Sequence, residues 1–135
     1  MAKMCITVFS GSIDRLTGAA ILASAAAAMD MEVELFLQLW GAYAFKKDVI
    51  KENMHFSEFK EKADEVAKKL QELNIPPWYE MLKQAKESGK VKVYACSTAA
   101  KIWNASKEDF ELVDELIGAG EWIEKSKDAD INLFV

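Results

Sequence analysis

The chain has 135 residues, with 22 acidic against 17 basic side chains and a formal net charge of −5 at pH 7. Because 51% of its residues are apolar, it can bury a hydrophobic core and is not a disordered segment. The acidic balance argues against nucleic acid as a partner. The longest uncharged run, Leu16 to Met29, is too short to cross a bilayer, so no membrane partner is expected. We expect one domain over residues 1–135.

Scarce residue types restrict the chemistry further. The chain has one histidine, His55, and two cysteines, Cys5 and Cys96, with no CxxC or HxxxH spacing. Zinc sites built from Cys and His need three or four ligands, so no metal site is expected. No cofactor is expected either. Two distant cysteines make no disulfide framework, and the short apolar run at the N-terminus is not a signal peptide. These features indicate a reducing, cytoplasmic location.

The first part of the chain predicts two strands around one helix. The apolar run Met4 to Phe9 predicts a strand buried on both faces. Seven alanines between positions 19 and 28 predict a helix over Asp14 to Met29. The alternation in Met31 to Trp40 predicts a second strand. Gly41 to His55 has weak periodicity, which indicates a long connection or a short mobile helix.

The middle of the chain predicts two helices. Ser57 is the expected N-cap of an amphipathic helix, whose apolar residues recur every three or four positions from Phe59 to Leu73. The pair Pro76 and Pro77 ends this helix and begins the next, over Trp78 to Ser88, which Gly89 closes.

The last part of the chain continues the alternation of strands and helices. Val91 to Cys96 predicts a third strand, and Ser97 and Thr98 are expected caps of a helix that runs to about Asn104. Further on, we expect a helical turn at Lys107 to Leu112 and a strand at Val113 to Ile117. A helix at Glu121 to Lys127 and a last strand at Ile131 to Val135 follow. This order predicts an α/β fold, a three-layer α/β/α sandwich with a mostly parallel sheet of about five strands in a flavodoxin-like arrangement.

Ligands of open parallel sheets bind beyond the carboxyl ends of the strands. Three segments lie there: Ser10 to Asp14, Trp40 to Tyr43, and Cys96 to Thr98. The first has Gly and hydroxyl residues before a helix, as phosphate loops do, but lacks the GxxxxGK[ST] and GxGxxG spacings. A strand-to-helix turn capped by Ser12 or Asp14 is the favoured interpretation. The candidate binding or anion-stabilising residues of the first two segments are Ser10, Gly11, Asp14, Trp40, Gly41 and Tyr43.

Cys96 is the soft nucleophile among these positions. A thiol between a strand and a helix N-terminus is placed where the unpaired N–H groups favour thiolate over thiol. The alternative is a buried structural cysteine. Cys5 lies inside the first strand and is expected to be a core side chain. His55, beside Phe56, is expected at the surface.

Three stretches of the chain carry a family pattern. They are FSGSIDRLTGAAILASAAAAMDMEVELF, the WG pair of Trp40 and Gly41, and KVYACSTAAKIWNASKEDF with the later DADINLFV. Together they resemble the DsrE/DsrF-like family, and more closely its branch of larger proteins sometimes labelled peroxiredoxin-like. The peroxide-reducing TxxC arrangement is absent, because Thr98 follows Cys96 rather than preceding it.

The resemblance implies a cytoplasmic α/β sandwich that forms homo-oligomers and handles sulfane sulfur. It implies Cys96 as the reactive residue, which accepts sulfur as a persulfide and passes it to a TusA-like carrier protein. The N–H groups of Ser97 and Thr98 would stabilise the anionic sulfur. The protein would then be a sulfurtransferase-like persulfide carrier and not a peroxiredoxin.

Two other functions remain open from the sequence. In one, the loops at Ser10, Trp40 and Ser97 bind a small ligand or have a regulatory role, and Cys96 is incidental. In the other, the chain is a structural subunit of a larger assembly, which an apolar surface formed by its tryptophans Trp78, Trp103 and Trp122 would favour.

Overall fold

Five strands and six α-helices form the fold of residues 1–135, all of which the computed structural model describes. The strands are β1 (Lys3–Val8), β2 (Glu32–Leu37), β3 (Val91–Cys96), β4 (Glu115–Ile117) and β5 (Ile131–Phe134). The helices are α1 (Ile13–Ala28), α2 (Leu39–Ala44), α3 (Ala63–Glu72), α4 (Trp78–Lys86), α5 (Ser97–Ile102) and α6 (Ala119–Ser126). None of these helices has the length and apolar composition that crossing a membrane requires.

The five strands form one sheet in the order β4-β3-β2-β1-β5, and every neighbouring pair is parallel. The chain moves from β1 through β2 and β3 to β4, and then returns to the far side of β1. Because such crossovers are right-handed, the return step places its helix on the opposite face from the first two steps. Helices α1 and α4 accordingly pack together on one face, and α6 covers the other. The predicted α/β fold with a parallel sheet is confirmed.

The two faces of the sheet differ in chemistry. On the α1 face, alternate residues such as Ile6, Leu35 and Val93 are buried and apolar, and the alanines of α1 allow that helix to pack closely. On the α6 face the stacked rings of Phe36 and Trp122 lie 5.2 Å apart. This second face also carries the polar side chains of Lys3, Glu34 and Tyr94.

The middle of the chain differs from the sequence-based prediction. The second strand ends at Leu37, and Trp40 lies in α2 instead. Ser57 caps no helix, since α3 begins at Ala63 with Lys62 at its N-cap position. The apolar stripe of α3 is amphipathic as predicted, but no residue of this helix is buried. A repeating apolar pattern reports which face a helix could bury and not whether a partner surface is present.

Two further expectations are wrong. Ser97 and Thr98 do not cap α5, because Cys96 occupies the N-cap position and Ser97 is already the first helical residue. Trp78 and Trp122 form no apolar surface, since both are buried in the core, where Trp78 packs on Phe45.

Candidate functional site

The three predicted site segments lie at one edge of the sheet, because β1, β2 and β3 are parallel neighbours. Backbone hydrogen bonds tie the first two segments together. The N–H of Gln38 donates to the carbonyl of Val8 at 2.9 Å, and that of Gly41 donates to the carbonyl of Phe9 at 2.9 Å. The third segment is attached through α5, where Nε1 of Trp103 donates to the carbonyl of Leu39 at 2.9 Å.

Two glycines make this close approach possible. A Cβ on Gly41 would lie 2.1 Å from the carbonyl oxygen of Val8, and one on Gly11 would lie 2.5 Å from that of Trp40. Both distances are far below van der Waals contact, so any side chain at either position would displace the backbone. Gly41 therefore positions α2 against β1.

A cavity of about 600 Å³ opens beside these segments. Its walls come from the β1–α1 loop, from α2 and from the connection that follows α2. The lining residues are Phe9, Ser10, Gly11, Ser12, Trp40, Tyr43, Ala44, Asp48, Val49, Glu52, Asn53 and His55. Four predicted site residues, Ser10, Gly11, Trp40 and Tyr43, are thus brought together. Sequence reasoning missed the residues from Asp48 to Asn53, for which the length of the connection was the only signal.

Hydrogen bonds hold the connection over the cavity. Nδ2 of Asn53 donates to the carbonyl of Gly11 at 2.8 Å, and the N–H of Ile13 donates to the carbonyl of His55 at 2.7 Å. Oδ1 of Asn53 also accepts the N–H of His55 at 3.0 Å. One wall of the cavity is therefore fastened to the loop that forms the opposite wall.

Asp14 does not line the cavity but anchors the end of the same connection. Its Oδ1 accepts the N–H of Ser57 at 2.9 Å, and its Oδ2 accepts the Ser57 hydroxyl at 2.5 Å. Burial alone raises the pKa of Asp14, but these hydrogen bonds stabilise the carboxylate and together hold the pKa below its usual value. Asp14 is therefore an ionised positioning residue.

The charges around the cavity are acidic. Asp48 and Glu52 line it, and no Lys or Arg does. Lys46 lies nearby, with its Nζ 3.7 Å from Oδ1 of Asp48 and 5.7 Å from the ring centroid of Tyr43. Carboxylates at the wall disfavour an anionic ligand here.

Cys96 lies outside the cavity. It is the last residue of β3 and the N-cap of α5, with an extended backbone (φ −65°, ψ 125°), and it pairs in register with Ile117 of β4. Alternation along β3 places its side chain on the same face as that of Tyr94, the α6 face. The residue is 8% exposed. The predicted site residues therefore divide between the cavity, with Asp14 and Gly41 holding its walls, and the start of α5.

Cys5 is a core residue, as the sequence predicts. It is fully buried in β1, and burial raises the pKa of its thiol to about 11, although the nearby Lys3 ammonium acts in the other direction. Thiolate chemistry therefore favours Cys96 of the two cysteines.

Comparisons with known proteins agree with this fold. Uncharacterized protein YrkE of Bacillus subtilis (strain 168) is 28% identical over an alignment 160 positions long, which covers 98% of this chain and 96% of that protein. The chain is similar in structure to YchN from E. coli (TM-score 0.66, 18% identity) and to MTH1491, a protein of unknown function from Methanobacterium thermoautotrophicum (TM-score 0.62, 11% identity). In both cases the whole of each chain is covered. The sequence model of the DsrE/DsrF-like family matches residues 4–134, so the chain belongs to this family, which is associated with sulfur relay.

Proposed function

We propose that the protein relays sulfur, with Cys96 accepting sulfane sulfur as a persulfide and passing it to a TusA-like carrier protein. The observation that carries this proposal is the position of Cys96, at the carboxyl end of β3 and the first turn of α5. The second thiol, Cys5, is fully buried in the core, and burial raises its pKa, which disfavours its thiolate. Family membership supplies the sulfur-relay context.

The transfer needs no oxidant or metal. The Cys96 thiolate attacks the outer sulfur of a donor persulfide, a sulfur–sulfur bond forms, and the donor leaves as a thiolate. An acceptor thiolate then attacks the outer sulfur of the Cys96 persulfide, and the Cys96 thiolate is released. The N–H groups of Ser97 and Thr98 belong to the first turn of α5, where helical geometry leaves them without an intrahelical acceptor. They are the groups that would stabilise the anionic sulfur.

The small exposure of Cys96 restricts the donor. With 8% of the residue accessible, a donor has to present its sulfur at the end of a slim chain, such as a polysulfide or a cysteine on a mobile loop. A bulky or rigid donor would have to displace the start of α5.

The test is mass spectrometry of the protein after incubation with polysulfide. We expect one added sulfur on the peptide that contains Cys96, no addition in Cys96→Ser, and normal addition in the matched variant Cys5→Ala. Mixing the loaded protein with a TusA-like carrier should then move isotopically labelled sulfur to the carrier. A Cys96 that remains open to alkylation but gains no sulfur would contradict the proposal.

We also propose that the chain forms a homo-oligomer through the exposed edge of β5. Phe134 is 70% exposed, stacks on Phe9 at 6.0 Å between ring centroids, and lies on the edge strand β5, which carries the exposed Ile131 on its other face. Edge strands with apolar side chains are surfaces that a second copy can cover. Light scattering should give a mass above that of one chain, and Phe134→Ser should lower it, whereas Phe59→Ser, at an equally exposed ring elsewhere, should not. A monomeric wild-type protein would refute this assembly.

A second candidate function is that of a ligand-binding module in which Cys96 is incidental. The observation that favours it is the cavity, which is assembled at the predicted edge of the sheet and does not include Cys96. A small molecule that binds Cys96→Ala as well as it binds the wild-type protein would support this function.

A further inference from the structure

We propose that the cavity between the β1–α1 loop, α2 and the following connection binds a small organic cation with an ammonium head. This inference rests on the second candidate function, the ligand-binding module, and is independent of sulfur transfer at Cys96. The inference names the chemical class of ligand that such a module would bind.

The aromatic walls of the cavity are the first argument. Phe9, Trp40 and Tyr43 line a space of about 600 Å³, within the range of sites for small molecules. The ring of Trp103 lies behind two of them, with its centroid 4.6 Å from that of Tyr43 and 5.3 Å from that of Trp40. Aromatic faces attract ammonium groups, most strongly where several rings surround the cation. The packing holds these rings in place before any ligand arrives.

The charges are the second argument. The cavity is lined by the carboxylates of Asp48 and Glu52 and by no Lys or Arg. Asp48 is paired with Lys46, but Glu52 makes no ion pair or side-chain hydrogen bond in the structure. One negative charge therefore remains uncompensated beside the rings, which favours a cation and disfavours phosphates and carboxylates.

Lys46 provides an example within the chain. Its Nζ lies 5.7 Å from the centroid of Tyr43 and 3.7 Å from Oδ1 of Asp48, so an ammonium already sits between an aromatic ring and a carboxylate at this site. Lys46 is not among the residues that line the cavity. The corresponding groups that Lys46 leaves to a ligand inside the cavity are the ring of Trp40 and the carboxylate of Glu52.

Apart from the imidazole of His55, the remaining polar side chains of the cavity are already engaged. The hydroxyls of Ser10 and Ser12 bond each other at 3.0 Å, and the amide of Asn53 bonds the backbone of Gly11 and His55. Few hydrogen-bond donors and acceptors are left to bind a sugar or a nucleobase. Recognition by charge and aromatic surface is what the walls can supply.

The test is binding of matched probes to the full chain by calorimetry and by NMR of the Trp40 indole. Choline carries the charge, 3,3-dimethylbutan-1-ol has its shape without the charge, and acetate is the anion. We expect choline to bind at about millimolar affinity, the neutral isostere about fivefold more weakly, and acetate not at all. Binding of the isostere as tight as that of choline would overturn the inference while leaving a binding module standing. If choline does not shift the Trp40 signal, the inference is overturned, whereas a binding module for another class of ligand is not.

Variants identify the groups responsible. Asp48→Asn combined with Glu52→Gln should weaken choline binding about fivefold, and Trp40→Leu by at least as much, since it keeps an apolar side chain but removes the ring. The matched control, Glu72→Gln combined with Glu87→Gln, makes the same charge change on α3 and at the end of α4, and should leave binding unchanged. Cys96→Ala should also bind choline normally. Equal binding by both charge variants would overturn the inference.

Discussion

Gly41 of α2 lies directly against the backbone of Val8, the last residue of β1. A Cβ on Gly41 would stand 2.1 Å from the carbonyl oxygen of Val8, and the Gly41 N–H donates to the carbonyl of Phe9 at 2.9 Å. Because backbone occupies that space, a side chain at this position has to move the whole helix. The helix carries Trp40 and Tyr43, so this contact decides where the aromatic walls of the cavity stand.

Gly41→Ala should lower the free energy of unfolding by about 2 to 4 kcal/mol, since overpacking against backbone forces a rearrangement. Urea denaturation followed by far-UV circular dichroism measures this loss. The control is Gly18→Ala in the exposed middle of α1, where an added Cβ meets nothing within 4 Å. Alanine there should raise stability by about 0.5 to 1 kcal/mol. Similar losses at both positions would show that the contact with Val8 is not the cause.

The strands and the longer helices were predictable because their signals are local. The bounds of β3, Val91–Cys96, agree with the prediction, since a buried apolar run follows a turn at Gly89, whose φ of +80° suits glycine. Helix α2 was not predictable, because its six residues give too short a period to distinguish a helix from the end of a strand or from a connection.

The cavity was only half predictable. Ser10 and Trp40 follow strands, and the rule for parallel sheets brings such residues to one edge. The opposite wall depends on hydrogen bonds between distant residues, such as that from Asn53 to Gly11, which no local pattern encodes. The separation of Cys96 from the cavity depends likewise on packing, although all three segments end at the same edge.

The two thiols should differ in reactivity. Cys5 is fully buried and burial raises the pKa of its thiol to about 11, so it should resist iodoacetamide in the folded protein at pH 8. Cys96 should be alkylated slowly through its small exposed area, and both should react in urea. Peptide mapping by mass spectrometry distinguishes them. Alkylation of Cys5 before Cys96 under native conditions would reverse the assignment of the reactive thiol.

Three polar side chains on the α6 face, Lys3, Glu34 and Tyr94, should lower the stability of the fold at alkaline pH. Oε1 of Glu34 lies 2.6 Å from Nζ of Lys3, and Oε2 accepts the hydroxyl of Tyr94 at 3.1 Å. Burial and the Glu34 carboxylate raise the pKa of Tyr94. For Lys3, burial lowers the pKa, but pairing with Glu34 outweighs it and the pKa is raised. The pKa values of Tyr94 and Lys3 in the unfolded chain are about 10, and below that pH both groups contribute their full stabilisation. This stabilisation is lost as the pH rises through their higher pKa values in the folded protein.

Tyr94→Phe isolates the tyrosine's share of this effect. At neutral pH the variant should lose about 1 kcal/mol, because Glu34 loses a hydrogen-bond donor in a partly buried site. Between about pH 9 and pH 11 its stability should fall less steeply than that of the wild type. Urea titrations at several pH values measure both quantities. Identical alkaline slopes in the two proteins would remove Tyr94 from the explanation.

The hydrogen bonds between Asp14 and Ser57 should stabilise the protein above about pH 4. The pKa of Asp14 is lowered in the folded state, so its stabilising effect is present above the unfolded pKa and is lost as pH falls through the folded value. Ser57→Ala should cost about 1 kcal/mol at pH 7, with a smaller difference from the wild type near about pH 2 to 3. A pH-independent difference in urea titrations would mean that the charge of Asp14 contributes nothing.

Trp103 should support the cavity from behind. Its Nε1 donates to the carbonyl of Leu39 at 2.9 Å, and its ring packs on Trp40 and Tyr43. Trp103→Phe keeps most of the aromatic contact but leaves that carbonyl without its donor, so it should cost about 1 kcal/mol. Trp103→Ala removes both and should cost about 3 kcal/mol. Because Trp40 and Tyr43 would lose their packing contact with the ring at position 103, the alanine variant should also bind choline more weakly than the phenylalanine variant. Calorimetric titration of both variants provides the comparison, and equal affinities would show that Trp40 and Tyr43 hold their positions without Trp103.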